Sequence, residues 1–369
     1  MIRNLFFLIN SIFISSPLLA TQVPITFIEA LAPKDTTASE RFQTEYKAAV
    51  EAGKTLSKSK LAKCGYELSE KLVFYDASDN IQALEEAKKS AEKGSWLLVG
   101  PRRSNHYLLF VKGAPSTPSI SLMASASEVS DLAPLHLSMA TLNKHLAQTA
   151  ISQLKKQSKE SNPSYLSIVS EDCVTCVDFA KEFDAKATKN DIHKTLELKV
   201  VGDTPNLEPV KEAAKKYKPK YILLPNYSKV SAYLMHALIP VVPNAIFIGG
   251  DGWGDSKYGF IQNNENLNQA NGFTVRGFPP AQEGLKEFEL GQRLLKTHQG
   301  PKLFSGSAQA IIRIFDGLST LLCQSKPKTP QEFQAAFKNS GQKLFSAPWG
   351  VSLYSLKKGE IIYEGKRSD

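Results

Sequence analysis

The chain has no apolar run long enough to span a bilayer, no metal-spaced histidines, no P-loop, no G-x-S-x-G elbow and no linker rich in Pro, Gly or Ser. Each absence removes a class. The longest apolar stretch, Leu5 to Ile14, falls well short of the roughly 20 residues that cross a membrane. The six histidines, His106, His136, His145, His193, His236 and His298, are scattered, so they read as structural and no metal is expected. With neither a nucleophile beside a base, nor paired carboxylates in a plausible site, nor a cofactor loop, an enzyme on this chain has no machinery. No cofactor is expected. GGDGWG has the look of a dinucleotide loop, yet no helix with an acidic partner follows at the right interval.

Acidic residues are outnumbered, and the formal net charge is +9. That could suit nucleic acid, but the lysines sit in KSKLAK, EEAKKSAEKG, QLKKQSK and VKEAAKKYKPK, mixed with alanine and glutamate as on solvated helix faces. They form no stripe of aromatics interleaved with basic residues on one face, as a nucleic-acid surface would. Nucleic acid is therefore not an expected partner.

Cysteine is scarce, four in 369 residues, and none lies near residue 20 to accept a lipid. Cys173 and Cys176 form a C-x-x-C after the apolar run SYLSIVS, without a second pair or a nearby histidine to complete a zinc set, which favours a local disulfide. Cys64 follows the first helix and Cys323 ends the helix SAQAIIRIFDGLSTLLC. In a 2-1-3-4-5 strand order those helices share a face and end on the same side, which predicts a Cys64–Cys323 bridge.

What is present is an export signal followed by an α/β chain. Arg3, the apolar Leu5–Ile14 segment, Pro17 and the small Ala20 make residues 1–20 a cleavable signal, the alternative being a membrane anchor. From Val23 strand and helix alternate: VPITFIEA, a helix over 41–56, KLVFYDA, NIQALEEAKKSAEKG, WLLVG, a helix from Ser104, PSISLMA. After a pause at 136–142 a second block repeats the alternation through SYLSIVS, TLELKVV, YILLP and AIFIGG. Beyond Asp251 come GFTVRGF, three helices beginning with EGLKEFELGQRLLKT, and a hairpin VSLYSLKKGEIIYEG turning at Lys358 and Gly359. The pattern predicts α/β architecture with parallel sheets, in two similar halves of about five strands each. A chain of this length, 42% hydrophobic, can bury two cores, since single cores stop growing near roughly 250 to 300 residues.

Four of the apolar runs stop at short turns of small or polar residues: SWLLVGPRRSN, PSISLMASASE, YILLPNYS and AIFIGGDGWG. In parallel sheets such turns gather at the carboxyl edge, where ligands bind.

Together with YDASDN, QALEEAKK, VGPRRSN, ISLMASASE and IFIGGDGWG, this organisation resembles the type I periplasmic solute-binding proteins, in the branch that binds leucine, isoleucine, valine and related amino acids. The resemblance implies two doubly wound parallel-sheet lobes joined by three chain crossings, lobe 1 from 21–140 and 249–344, and lobe 2 from 141–248 and 345–369. It implies a monomeric periplasmic receptor that captures a small amino-acid-like solute between its lobes and delivers it to an ABC permease in the inner membrane. A sensor or regulator with the same fold, binding a protein or another small ligand, is the alternative.

An amino acid needs an anion site and a carboxylate side by side. Ser104, at a helix start, and Ser125, at a strand end, suit the carboxylate; Ala124 by its carbonyl and Asp251, between Gly250 and Gly252, suit the ammonium. These positions match the family's head-group contacts, and Tyr227 matches an aromatic ring laid over the ligand from lobe 2. Each also has a plainer role: Ser104 as a helix cap, Asp251 as a turn former, Tyr227 as packing within its lobe. Near Thr175, where the family has a second aromatic, this chain has none. Arg102 and Arg103 replace residues that are apolar or small in the family, and either select an extra negative group or face solvent.

Overall fold

The computed structural model describes residues 20–31, 36–253, 265–277, 306–346 and 349–367. Residues 1–19 of the expected signal segment, the expected helix at 283–297 and His298 lie outside them.

The first sheet is built from β1 (Thr21–Leu31), β2 (Tyr66–Asp76), β3 (Leu97–Gly100), β4 (Ser119–Ser121) and β5 (His136–Ser138), all parallel, in the order β2-β1-β3-β4-β5. Helices α1 (Thr36–Lys63), α2 (Ile81–Glu92) and α3 (Ser104–Gly113) connect the first four strands. The period of two is visible within β3: Leu97 and Val99 enter the core on one face, Leu98 the core on the other. Two late helices, α8 (Gly306–Ser325) and α9 (Pro330–Phe345), return to this lobe, with Ile311, Phe315, Phe333 and Phe337 in the same core as Val23 and Phe27.

The second sheet contains β6 (Ser164–Ser170), β7 (His193–Val200), β8 (Tyr221–Leu224), β9 (Ile246–Gly249), β10 (Asn271–Arg276), β11 (Val351–Lys357) and β12 (Glu360–Arg367), in the order β12-β11-β10-β9-β8-β6-β7. Helices α4 (Asn143–Gln157) and α5 (Val174–Thr188) cover one face, and α6 (Glu208–Tyr217) and α7 (Ser228–Leu238) the other. The five parallel strands β7-β6-β8-β9-β10 repeat the winding order of the first sheet.

Three differences from expectation matter. His136–Ser138, read as a pause, is a short edge strand, β5, too brief to show a pattern of its own. GFTVRGF, assigned to lobe 1 with 249–344, supplies β10, which pairs with β9 and β11 in the second sheet, so the chain leaves that sheet after Arg276. Its apolar alternation states that it is a strand and not which sheet it joins. The second sheet therefore has seven strands among the described residues. The terminal hairpin is as expected, antiparallel and turning at Lys358 (φ 50) and Gly359 (φ 79). Two positive φ values in succession match the right-handed strand twist.

The chain passes between lobes three times: between β5 and α4, between Gly277 and α8, and between α9 and β11. The Cα atoms of Cys64, beyond α1, and Cys323, in α8, are 5.4 Å apart, and those of Cys173 and Cys176 are 5.2 Å apart, both within disulfide reach.

Candidate functional site

Equivalent strands of the two sheets supply the site. The turns after β3 and β8, third strands of their halves, carry Ser104 and Tyr227; those after β4 and β9, the fourth strands, carry Ser125 and Asp251. All four line one cavity of about 530 Å³, together with Arg102, Arg103, Met123, Thr175, Ser228, Lys229 and Gly252. Its volume lies in the usual range for small-molecule sites.

Ser104 is the first residue of α3 and not its cap. Arg103 holds the cap position in extended conformation, and no side chain caps the helix, so the first-turn N–H groups are not taken by a side chain. The Ser104 hydroxyl accepts from the Ala126 N–H at 3.2 Å, which leaves its own proton for a ligand. Ala124 does not line the cavity. It is fully buried, and its carbonyl already accepts from the Ser138 hydroxyl at 2.7 Å.

Asp251 is half-buried in a turn that glycines shape. A Cβ on Gly249 would lie 2.3 Å from the Trp253 ring, so only glycine lets that indole fold back beneath the turn, where its Nε1 donates to Leu224 O and Ser231 Oγ, both at 3.0 Å. Gly252 allows the turn to abut Tyr227, and its carbonyl accepts from the Ser228 N–H at 3.1 Å. Burial pushes the Asp251 carboxyl above the ordinary carboxylate range, opposed by the Ser125 hydroxyl and the Arg276 charge. Tyr227 remains 41% exposed on the cleft wall and does not pack away into its own lobe. Its phenol is raised by burial, against the pull of Arg103.

Residues that the sequence reading passed over hold these turns in place. Glu29, fully buried at the end of β1, accepts from the Ala30 N–H at 2.9 Å and from the Arg102 N–H at 3.2 Å, tying β1 to β3 where the winding order reverses. Burial raises its carboxyl, with Arg102 the chief opposing charge. A single glutamate inside the apolar run VPITFIEA was the available signal. Asn226, fully buried, receives the Ser170 N–H at 2.7 Å and donates to Ile168 O at 2.9 Å, locking β6 to the turn that carries Tyr227. His106 is buried, 2.7 Å from the Tyr75 hydroxyl, and is pushed down to about 4 by burial and the two arginines, so it stays neutral near pH 7. Among the described residues no group of His, Cys, Asp and Glu is arranged to hold a metal ion.

The lobes touch beside the cavity. Ser125 Oγ and Thr175 Oγ1 are 2.9 Å apart, and the Ser127 N–H donates to Asp178 Oδ2 at 2.8 Å.

Two five-strand windings in the same order, a site spanning their carboxyl edges and a paired antiparallel terminus define the architecture. The leucine binding protein LivK from Thermotoga maritima superposes with a TM-score of 0.71 at 13% identity, over 93% of this chain and 98% of that one. The chain has the type I periplasmic binding protein fold. A branched-chain amino acid ABC transporter protein from Thermus thermophilus with bound valine gives a TM-score of 0.72 at 11% identity, over 94% of this chain and 96% of that one. A solute binding protein from Rhodopseudomonas palustris in complex with 3,4-dihydroxybenzoic acid has the same fold, with a TM-score of 0.65 at 13% identity over 94% and 98%. No protein-family model and no curated protein sequence matches the chain. In this fold the cavity between the lobes is the cleft.

Proposed function

We propose that the protein is a periplasmic receptor that captures an amino-acid-like solute in the cleft and delivers it to an ABC importer. One observation carries the reading: Ser104 and Ser125 from one lobe and Tyr227 and Asp251 from the other surround a single cavity of about 530 Å³. The helix start at Ser104 and the Ser125 hydroxyl take the solute's carboxylate. Asp251 takes its ammonium, with Tyr227 over the body of the ligand. Among solved proteins of this fold, three hold isoleucine, leucine or valine, zwitterions of the kind that an anion site beside a carboxylate suits, and two hold hydroxylated benzoic acids.

Closure of the lobes about their crossings is the signal for the permease, and no covalent chemistry takes part. Among the described residues no helix is long and apolar enough to cross a membrane. Residues 1–20 act as the cleavable export signal, and the two cysteine pairs form disulfides in the oxidising compartment. A thermal-shift screen of the mature protein with amino acids, nucleosides and sugars tests the reading. Stabilisation by amino acids alone is expected. Stabilisation by none of the three classes would favour the sensor alternative, and turnover of a bound solute would revive an enzyme.

A further inference from the structure

The charges around the cleft exceed what a simple zwitterion can answer. Three cations line the cavity, Arg102, Arg103 and Lys229, against one carboxylate, Asp251. Two of the three have a partner outside the cleft, a ring for one and a solvent-exposed carboxylate for the other. The Arg102 guanidinium lies 4.0 Å from the centre of the Phe42 ring. Lys229 reaches Asp203 at 2.8 Å in a well-exposed pair, where solvent screening leaves little net attraction. Arg103 differs: half-buried, it has no hydrogen bond or ion pair through its guanidinium among the described residues. It lines the cavity together with Tyr227, Ser228 and Asp251 of lobe 2, and its charge is felt at the Tyr227 hydroxyl.

Head-group recognition as proposed above uses Ser104, Ser125 and Asp251 and asks nothing of Arg103. A neutral zwitterion would leave the guanidinium uncompensated as the lobes close, and an unpaired cation withdrawn from water is costly. Apart from Met123 and the Tyr227 ring, the side chains of the wall are polar where an apolar ligand would need otherwise: Thr175 stands opposite Ser125, and Ser228 sits beside Tyr227. A guanidinium fork matches a carboxylate through two parallel hydrogen bonds.

We infer that the solute carries a second carboxylate, held by Arg103 with Arg102 adding to the field, and so belongs to the acidic amino acids rather than the apolar branched-chain ones. The inference rests on the amino-acid reading of the same cleft. Calorimetry on the mature protein with L-glutamate, L-2-aminoadipate, L-glutamine, L-leucine and glutarate separates the two. At least one of the acidic pair binds tenfold or more tighter than glutamine, and Arg103→Gln shrinks that ratio to threefold or less while glutamine is unaffected. Arg103→Lys, which keeps the charge and loses the fork, falls between. Glutamine or leucine binding as tightly as both acidic amino acids would overturn the inference and leave the amino-acid receptor intact. If glutarate matches glutamate, the second carboxylate stands and the ammonium role of Asp251 falls. No binding by any of the five would remove both.

Discussion

The hydroxyls of Ser125 and Thr175, which belong to different lobes, are 2.9 Å apart. Ser125 follows a strand of the first sheet, while Thr175 lies in the first turn of α5, so the contact exists only when the cleft is narrow on this side. Thr175 is also held by Asn143, whose Nδ2 donates to its carbonyl at 3.0 Å. The position where related proteins were expected to place an aromatic ring therefore carries a polar latch.

Thr175→Val removes one partner of that latch and leaves the helix intact. Losing a single neutral hydrogen bond shifts the balance toward open forms by about 1 kcal/mol. Small-angle scattering should show a larger radius of gyration without solute, and calorimetry a roughly fivefold weaker binding. An unchanged scattering profile would mean the latch does not hold the lobes.

Asp251→Asn deletes the proposed counter-charge of the ammonium. Affinity for an amino acid is expected to fall by about 2 kcal/mol or more, roughly 30-fold, because the ammonium is left without a charged partner. The ligand-free variant should melt no lower than the wild type at pH 7. Burial raises the Asp251 carboxyl in the folded protein, so its favourable contribution is present at low pH and lost as pH rises through the folded value; at pH 7 the ionised group is a cost that asparagine removes. Calorimetry and a melting curve read the two effects independently.

The same shift fixes a pH dependence of binding. An ammonium ligand requires Asp251 ionised, and its protonation in the free protein sets in above the ordinary carboxylate range, with Ser125 and Arg276 opposing the rise and Asp178 adding to it. Affinity should be highest near neutral pH and fall on acidification before an ordinary carboxylate would titrate. Binding on that slope should release protons, seen as a buffer-dependent enthalpy. In Asp251→Asn the slope should vanish.

Glu29 can be tested by comparing two substitutions. Glu29→Ala leaves the Ala30 and Arg102 N–H groups without their acceptor in a fully buried place and should cost about 2 kcal/mol. Glu29→Gln keeps an acceptor oxygen and lacks the charge that burial disfavours, so its loss should be under about 1 kcal/mol. Urea titration measures both. Equal losses would show that the charge, and not the acceptor, holds the Arg102 turn.

The Cys64–Cys323 pair joins residues separated by 259 positions and links α1 to α8. Replacing both by serine should lower stability by up to about 5 kcal/mol, a fall in melting temperature on the order of 10 °C. A thiol assay on unreduced, unfolded wild type should find no free cysteine. A full thiol count would refute the bridge.

The alternation of β and α, the cysteine pairing between α1 and α8, the terminal turn at Lys358 and Gly359, and the four turns that carry Ser104, Ser125, Tyr227 and Asp251 were legible in the sequence, because each depends on short-range pattern or strand order. Sequence could not place β10, since an apolar strand fits either sheet and only its pairing with β9 and β11 decides. Nor could it show that Ala124 has its carbonyl taken by Ser138, that Glu29 reaches across to Arg102, or that Arg103 lines the same cavity as Tyr227 with no ion pair among the described residues. Those facts arise from segments distant in the chain and brought within hydrogen-bond or Coulomb range by packing. Local pattern determined where the turns fall; the tertiary structure decided what each of their side chains has left to offer a ligand.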